Sequence, residues 1–119
     1  MPSAPADNSI LTLSVTETGG TVMLRLDGEF DLAGVGPAEN ALDRALQNPT
    51  PARLVFDLRD LEFLDLSGLL TILRASERGR AAGCDVVVVR PRGTANRVFT
   101  LTSAGERLNM ADRFDPSWA

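Results

Sequence analysis

Residues 54–89 read LVFDLRDLEFLDLSGLLTILRASERGRAAGCDVVVV, and the pattern of this stretch decides the fold of the chain. Leu54, Val55, Phe56, Asp57 and Leu58 make a short run with β-branched and aromatic members, closed by Arg59 and Asp60, which predicts a strand. Val86, Val87, Val88 and Val89 show no polar alternation, the pattern of a parallel strand buried on both faces. Between the two, Leu69, Ile72, Leu73 and Ser76 recur at helical spacing on one face. Ser67, Thr71, Arg74 and Arg78 fall on another face that is mostly polar. Asp65 and Ser67 are both types that cap helix N-termini, and the plain reading of Ser67 is a cap; Gly83 suits the position just past a C-terminus. Residues 59–65 are left as a short loop.

A strand, a helix and a second parallel strand form a right-handed crossover, with the helix over one face of the sheet. Its N-terminus then opens at the carboxyl end of the first strand, where open α/β sheets place their sites. The corner at Asp65, Leu66, Ser67 and Gly68 is therefore the candidate functional site. A glycine in the first helical turn costs about 1 kcal/mol against alanine, so Gly68 marks a close approach of the helix to the sheet or to a partner. Leu66 and Leu70 lie one turn apart and read either as core or as an apolar contact patch. Arg74 and Arg78 read as solvated, within reach of an acidic partner.

Outward from this stretch, residues 1–9 (MPSAPADNS) read as a flexible tail and 10–119 as one domain; the tail lacks the basic and apolar regions of a secretory signal. Ile10, Leu11, Leu13 and Val15 mark a first strand, Thr18, Gly19 and Gly20 a turn, and Val22, Leu24 and Leu26 a second strand of a hairpin. Asp27, Gly28, Glu29, Phe30 and Asp31 then read as a sharp acidic loop. Ala38, Ala41, Leu42, Ala45 and Leu46 form the apolar stripe of a helix, ended by Asn48, Pro49, Thr50 and Pro51. Beyond Val89, Arg90, Pro91, Arg92 and Gly93 make a turn. Thr94 is placed to cap a helix from Ala95 to about Ser103, with Val98, Phe99, Leu101 and Thr102 near its buried side and Gly105 at its end. Leu108, Met110 and Phe114 suggest a short edge strand, and Asp115 with Pro116 a last helical turn. No internal repeat is expected. The class is α/β, in the order ββαβαβαβ, with a mixed sheet of four to five strands.

With 119 residues, 44% hydrophobic and 24% charged, the chain suits one globular domain. Twelve arginines and no lysine stand against 16 acids, for a net charge of −4, which disfavours non-specific binding to nucleic acid or anionic membrane. Cys84 alone cannot form an internal disulfide, and its solitude fits a reducing cytoplasm. The absence of histidine removes Ser-His-Asp and Cys-His catalysis, and the absence of lysine removes Walker A and Schiff-base chemistry. Asp57, Asp60, Glu62 and Asp65, with Glu29 and Asp31, could attract Mg²⁺, but acid-rich loops are more often solvated caps. The expectation is a protein that is not an enzyme and uses neither metal nor cofactor.

The assembled residues resemble the STAS domain family and, within it, the SpoIIAA-like bacterial anti-sigma factor antagonists. The resemblance runs from about Ile10 to Phe114. It is carried by Asp27-Gly28-Glu29-Phe30-Asp31, by Leu54-Val55-Phe56-Asp57-Leu58 and above all by Phe63-Leu64-Asp65-Leu66-Ser67-Gly68-Leu69. It implies a cytoplasmic protein that binds an anti-sigma factor, usually a serine kinase of the GHKL type, and so frees a sigma factor. The kinase phosphorylates a serine at the start of this helix and a phosphatase restores it. The family's acceptor directly follows the aspartate, and here that position is Leu66. Either Ser67 takes the phosphate or binding is independent of phosphorylation. The contact surface implied comprises Glu29, Asp31, Asp65, Leu66, Ser67, Gly68, Leu70, Thr71 and Arg74. Family members also serve as sensors of small ligands or nucleotides and as parts of lipid or anion transport assemblies, which is the alternative reading. Homo-oligomerisation through the first strand is open.

Overall fold

The computed structural model describes residues 10–47 and 49–118. The expected tail at 1–9 lies outside them, as does Asn48. The hairpin forms as expected: β1 (Leu11–Thr18) runs antiparallel to β2 (Thr21–Phe30). Gly19 and Gly20 both take positive φ, which lets two residues reverse the chain. After β2 come a short 3₁₀ turn at Leu32–Gly34 and α1 (Val35–Ala45), then β3 (Arg53–Asp57) and β4 (Leu61–Leu64). The long helix α2 (Leu66–Ala81), β5 (Asp85–Val89), α3 (Gly93–Leu101) and the two-residue β6 (Met110–Ala111) complete the order. Among the described residues the sheet has six strands, in the order β1-β2-β3-β5-β6, with β4 paired to β2 beyond the end of β3.

Two sequence expectations fail at the same place. Residues 27–31 are not a loop: β2 continues to Phe30 and changes partner on the way, from β3 to β4. The change occurs at a bulge at Gly28, whose φ is 97° and where a Cβ would sit 2.2 Å from the carbonyl oxygen of Ile10. Residues 59–65 are likewise not a plain loop, because Leu61–Leu64 forms β4, parallel to β2. Leu61 and Leu64 are buried while Glu62 and Phe63 are exposed, so this four-residue strand lacks a clean alternation.

Among the described residues, α1, α2 and α3 pack on one face. Val22, Leu24 and Leu26 of β2, Leu54 and Phe56 of β3, and Val86 and Val88 of β5 meet Leu42 of α1, Leu69 and Ile72 of α2, and Phe99 of α3. On the opposite face Val55, Val87 and Val89 are covered by Met23, Phe114 and Trp118. The valine run is thus buried on both faces, and β3 and β5 are parallel as expected. α3 begins one residue before Thr94, whose hydroxyl donates to the Glu62 carbonyl instead of capping, and the helix stops at Leu101. Leu101 is 77% exposed rather than near the buried side. Asp115 accepts from the Ser117 N–H and opens a 3₁₀ turn at Pro116–Trp118, in line with the sequence.

Candidate functional site

β2 and β4 are neighbouring parallel strands, paired Glu29 to Phe63 and Phe30 to Leu64. The residues that follow the last pair are therefore side by side: Asp31 then Leu32 after β2, Asp65 then Leu66 after β4. Each aspartate caps what comes next. Asp31 Oδ1 accepts from the Ala33 N–H at 3.0 Å, and Asp65 Oδ1 from the Gly68 N–H at 3.0 Å. Asp65, not Ser67, is thus the cap of α2; Ser67 is the second helical residue.

The third residue after each aspartate is glycine, and both glycines lean on Phe30, which is fully buried. A Cβ at Gly68 would come 2.6 Å from Leu64 Cδ1, 2.7 Å from the Phe30 oxygen and 2.9 Å from Phe30 Cγ. At Gly34 it would come 2.8 Å from Leu11 Cδ2 and 3.1 Å from Phe30 Cδ1. The two Asp-Leu-x-Gly corners therefore clasp one aromatic ring. Residues 31–34 and 65–68, DLAG and DLSG, share a four-residue pattern that strand pairing brings together in space.

The clasp turns both leucines out. Leu32 is 72% and Leu66 is 66% exposed, and Leu70, one turn along α2, is 40% exposed. Strands lie about 4.8 Å apart, so Leu32 and Leu66 start from adjacent positions and make one apolar ridge. Half-buried Glu29, Asp31 and Asp65 edge it with acid, and exposed Arg74 lies one turn beyond Leu70 on α2. Such a ridge with a charged rim is the anatomy of a protein interface. Leu32 was absent from the sequence-derived surface; its signal was the second DLxG.

Two of the expected contact residues do not reach the surface. Thr71 is buried, because its hydroxyl turns back to donate to the Ser67 carbonyl at 2.8 Å, which draws the side chain into the helix. Gly68 is buried against Phe30, so the close approach it provides is to the sheet. Glu29, Asp31, Asp65, Leu66, Ser67, Leu70 and Arg74 all keep exposed surface. Of the remaining acids of the junction, Asp57 is chelated by Arg59 and Asp60 is bonded by Arg25, while Glu62 is exposed. Among the described residues no three His, Cys, Asp or Glu side chains cluster to hold a metal. Burial pushes the Cys84 thiol above its ordinary pKa, and its sulfur donates to the Pro51 carbonyl. No helix of the described residues is long and apolar enough to cross a membrane.

The family model of the STAS domain matches residues 12–115. The chain belongs to the STAS domain family. The domain is 32% identical over 88 residues to the anti-sigma-F factor antagonist RsfB of Mycobacterium tuberculosis, covering 73% of this chain and 69% of that protein. It is 27% identical over 88 residues to an anti-sigma F factor antagonist of Lysinibacillus sphaericus, covering 74% and 75%. Among solved structures, an anti-sigma factor antagonist from Mycobacterium paratuberculosis superposes with a TM-score of 0.78 at 26% identity, over 94% of this STAS domain and 92% of that chain. The matched span includes both DLxG corners.

Proposed function

We propose that this STAS domain is an anti-sigma factor antagonist that docks an anti-sigma factor on the ridge of Leu32, Leu66 and Leu70 and thereby releases a sigma factor. The observation that carries the reading is the paired display of Leu32 and Leu66, two large apolar side chains held in solvent by fully built, capped corners. A core would have absorbed them; a docking surface explains the exposure. The alternative of a small-ligand sensor is less well supported. The enclosed apolar cavity between α1 and α2 measures only about 30 Å³, and the larger depressions, of about 210, 360 and 340 Å³, are shallow and open to solvent, whereas small-molecule sites bury most of the ligand's surface. Transcription from a dependent promoter, with sigma factor and anti-sigma factor supplied, tests the function. Addition of this protein is expected to restore it, and no restoration with any anti-sigma factor of the same genome rejects the function.

The partner we infer is of the serine-kinase type, opposed by a phosphatase, and the acceptor is Ser67. Of residues 65–71, Leu66 has no hydroxyl and Thr71 is buried, which leaves Ser67 as the hydroxyl with exposed surface. A phosphate there adds about −1.5 to −2 charges beside Asp65 and Asp31. The start of α2 accommodates it through free N–H groups, while a docked partner meets a desolvated dianion. Incubation with the kinase and ATP is expected to add one phosphate to the native protein and none to Ser67→Ala, by intact mass. A stable complex with no phosphate added removes the switch and leaves the docking intact. Phosphate on Ser67→Ala moves the acceptor elsewhere.

A further inference from the structure

A second surface lies along β1, the outer strand at one end of the sheet, which is hydrogen-bonded to β2 on one side only. Its turn fixes which of its backbone groups are spent. Gly19 and Gly20 form a two-residue turn of the I′ kind, closed by the Thr18–Thr21 pair. That pair exchanges hydrogen bonds and antiparallel ladders alternate, so Thr18, Thr16, Ser14 and Thr12 direct their N–H and C=O groups to β2. Leu13, Val15 and Glu17 direct theirs outward, where no backbone partner meets them among the described residues.

Long edge strands usually carry a guard against pairing, such as a lysine, a proline or a bulge. LTLSVTET has neither lysine nor proline, and its register to β2 is unbroken from Leu11 to Thr18. The far end of the sheet differs, because β6 has only two residues to offer. The one charged side chain of β1 is Glu17. On the helix side Val15 is 48% exposed, beside an open depression of about 210 Å³ lined also by Val22, Ala41, Ala45 and Pro49. The other side of the strand presents a row of hydroxyls, Thr12, Ser14, Thr16 and Thr18, all exposed.

We propose that β1 is the contact surface for a second copy of this chain, the two strands pairing antiparallel across a two-fold axis at Val15. Val15 is the middle of the three residues with outward groups, so this register sets it against itself and Leu13 against Glu17 of the copy, and all three find partners. The hydroxyl row then matches itself: Thr12 comes opposite Thr18, and Ser14 opposite Thr16, at the closely spaced positions where such pairs interact. The two Glu17 side chains stand four residues apart along the pair, roughly 13 Å, so like charges do not meet. A strand of another protein would answer the backbone equally; the self-matching side-chain rows select a second copy. The axis turns the two leucine ridges to opposite ends of the joined sheet and leaves both open. The contact is one strand wide, which makes the dimer weak, with a Kd on the order of 10–100 μM.

Sedimentation velocity of the full chain from about 1 μM to about 1 mM tests the assignment, since this range brackets the expected Kd. A monomer–dimer equilibrium is expected. Val15→Lys, which sets two ammonium groups together on the axis, is expected to weaken it about tenfold or more. Hydrogen exchange followed by NMR on the native chain needs no variant. With rising concentration the amides of Leu13, Val15 and Glu17 are expected to slow, whereas those of Ser14 and Thr16, already bonded to β2, change little. Leu66→Asp is expected to dimerise like the native chain, which separates this edge from the docking ridge. A chain that stays monomeric throughout, a dimer that Val15→Lys retains or Leu66→Asp abolishes, or a dimer whose three outward amides stay fast overturns the proposal. Slow exchange at those amides at every concentration without dimer also overturns it, and assigns the edge to another segment of the same chain.

Discussion

Gly68→Ala is expected to lower the melting temperature by about 8 °C, from a loss of about 2 kcal/mol at roughly 4 °C per kcal/mol for a chain of this size. The methyl group would enter a space bounded by Leu64 Cδ1 at 2.6 Å, the Phe30 oxygen at 2.7 Å and Phe30 Cγ at 2.9 Å. The oxygen belongs to β2 and accepts the Asp65 N–H, so it cannot move without opening the strand pair. Alanine's better helix propensity returns about 1 kcal/mol, too little to offset an overpacked core. Two neighbours serve as internal standards. Gly34→Ala meets mainly the flexible end of Leu11 and is expected to lose less. Gly36→Ala, in α1 with nothing within 4 Å, is expected to gain a few tenths to about 1 kcal/mol. Thermal unfolding followed by circular dichroism ranks the three. A Gly68→Ala protein as stable as the native one would mean that α2 does not rest on Phe30 as described.

The same clasp shows what could be read from the sequence and what could not. β3, α2 and β5 were legible because each carries a pattern of its own period: a short apolar run, a stripe at helical spacing, four valines. β4 was not, because LEFL buries its first and last residues only, and a strand of four has too little length to show a period. The acidic stretch at 27–31 misled for a related reason. Glycine and acids usually signal a turn, but Gly28 here makes a bulge inside a strand, and Asp31 is acidic because it caps the segment that follows. Thr71 lies on a polar face by spacing yet is buried, since a threonine can satisfy its hydroxyl on its own helix and then pack like valine. Leu101 departs in the opposite direction: it is the last residue of α3, and two positions past buried Phe99 carry it about 200° round the helix, to solvent. Of the site, Asp65 and Leu66 were found from the local pattern, whereas Leu32 required knowing that β2 and β4 lie side by side. Strand pairing is long-range information, and a single helix or strand pattern does not contain it.

That pairing also makes a quantitative forecast for binding. Burying one leucine at an interface contributes about 1.5–3 kcal/mol, so Leu32→Ala and Leu66→Ala are each expected to weaken the complex with the anti-sigma factor about 30-fold. If the two side chains enter one apolar pocket as a unit, the double variant loses less than the product, on the order of 100-fold rather than 1000-fold. If they enter separate pockets, the losses multiply. The double-mutant cycle therefore reports the shape of the partner as well as the location of the contact. Neither substitution touches the Phe30 clasp, because both side chains point to solvent, and the unfolding midpoint is expected to stay within about 2 °C of native, in keeping with exposed sites. Leu101→Ala provides the comparison: it is 77% exposed at the far end of α3, more exposed than either corner leucine. If exposed apolar area alone drove association, that variant would weaken the complex as much as the other two. A docking ridge predicts that it changes affinity by less than about twofold, within the usual scatter of near-neutral contacts. Equal losses at all three leucines, or none at Leu32 and Leu66, would place the anti-sigma factor on some other face of the sheet.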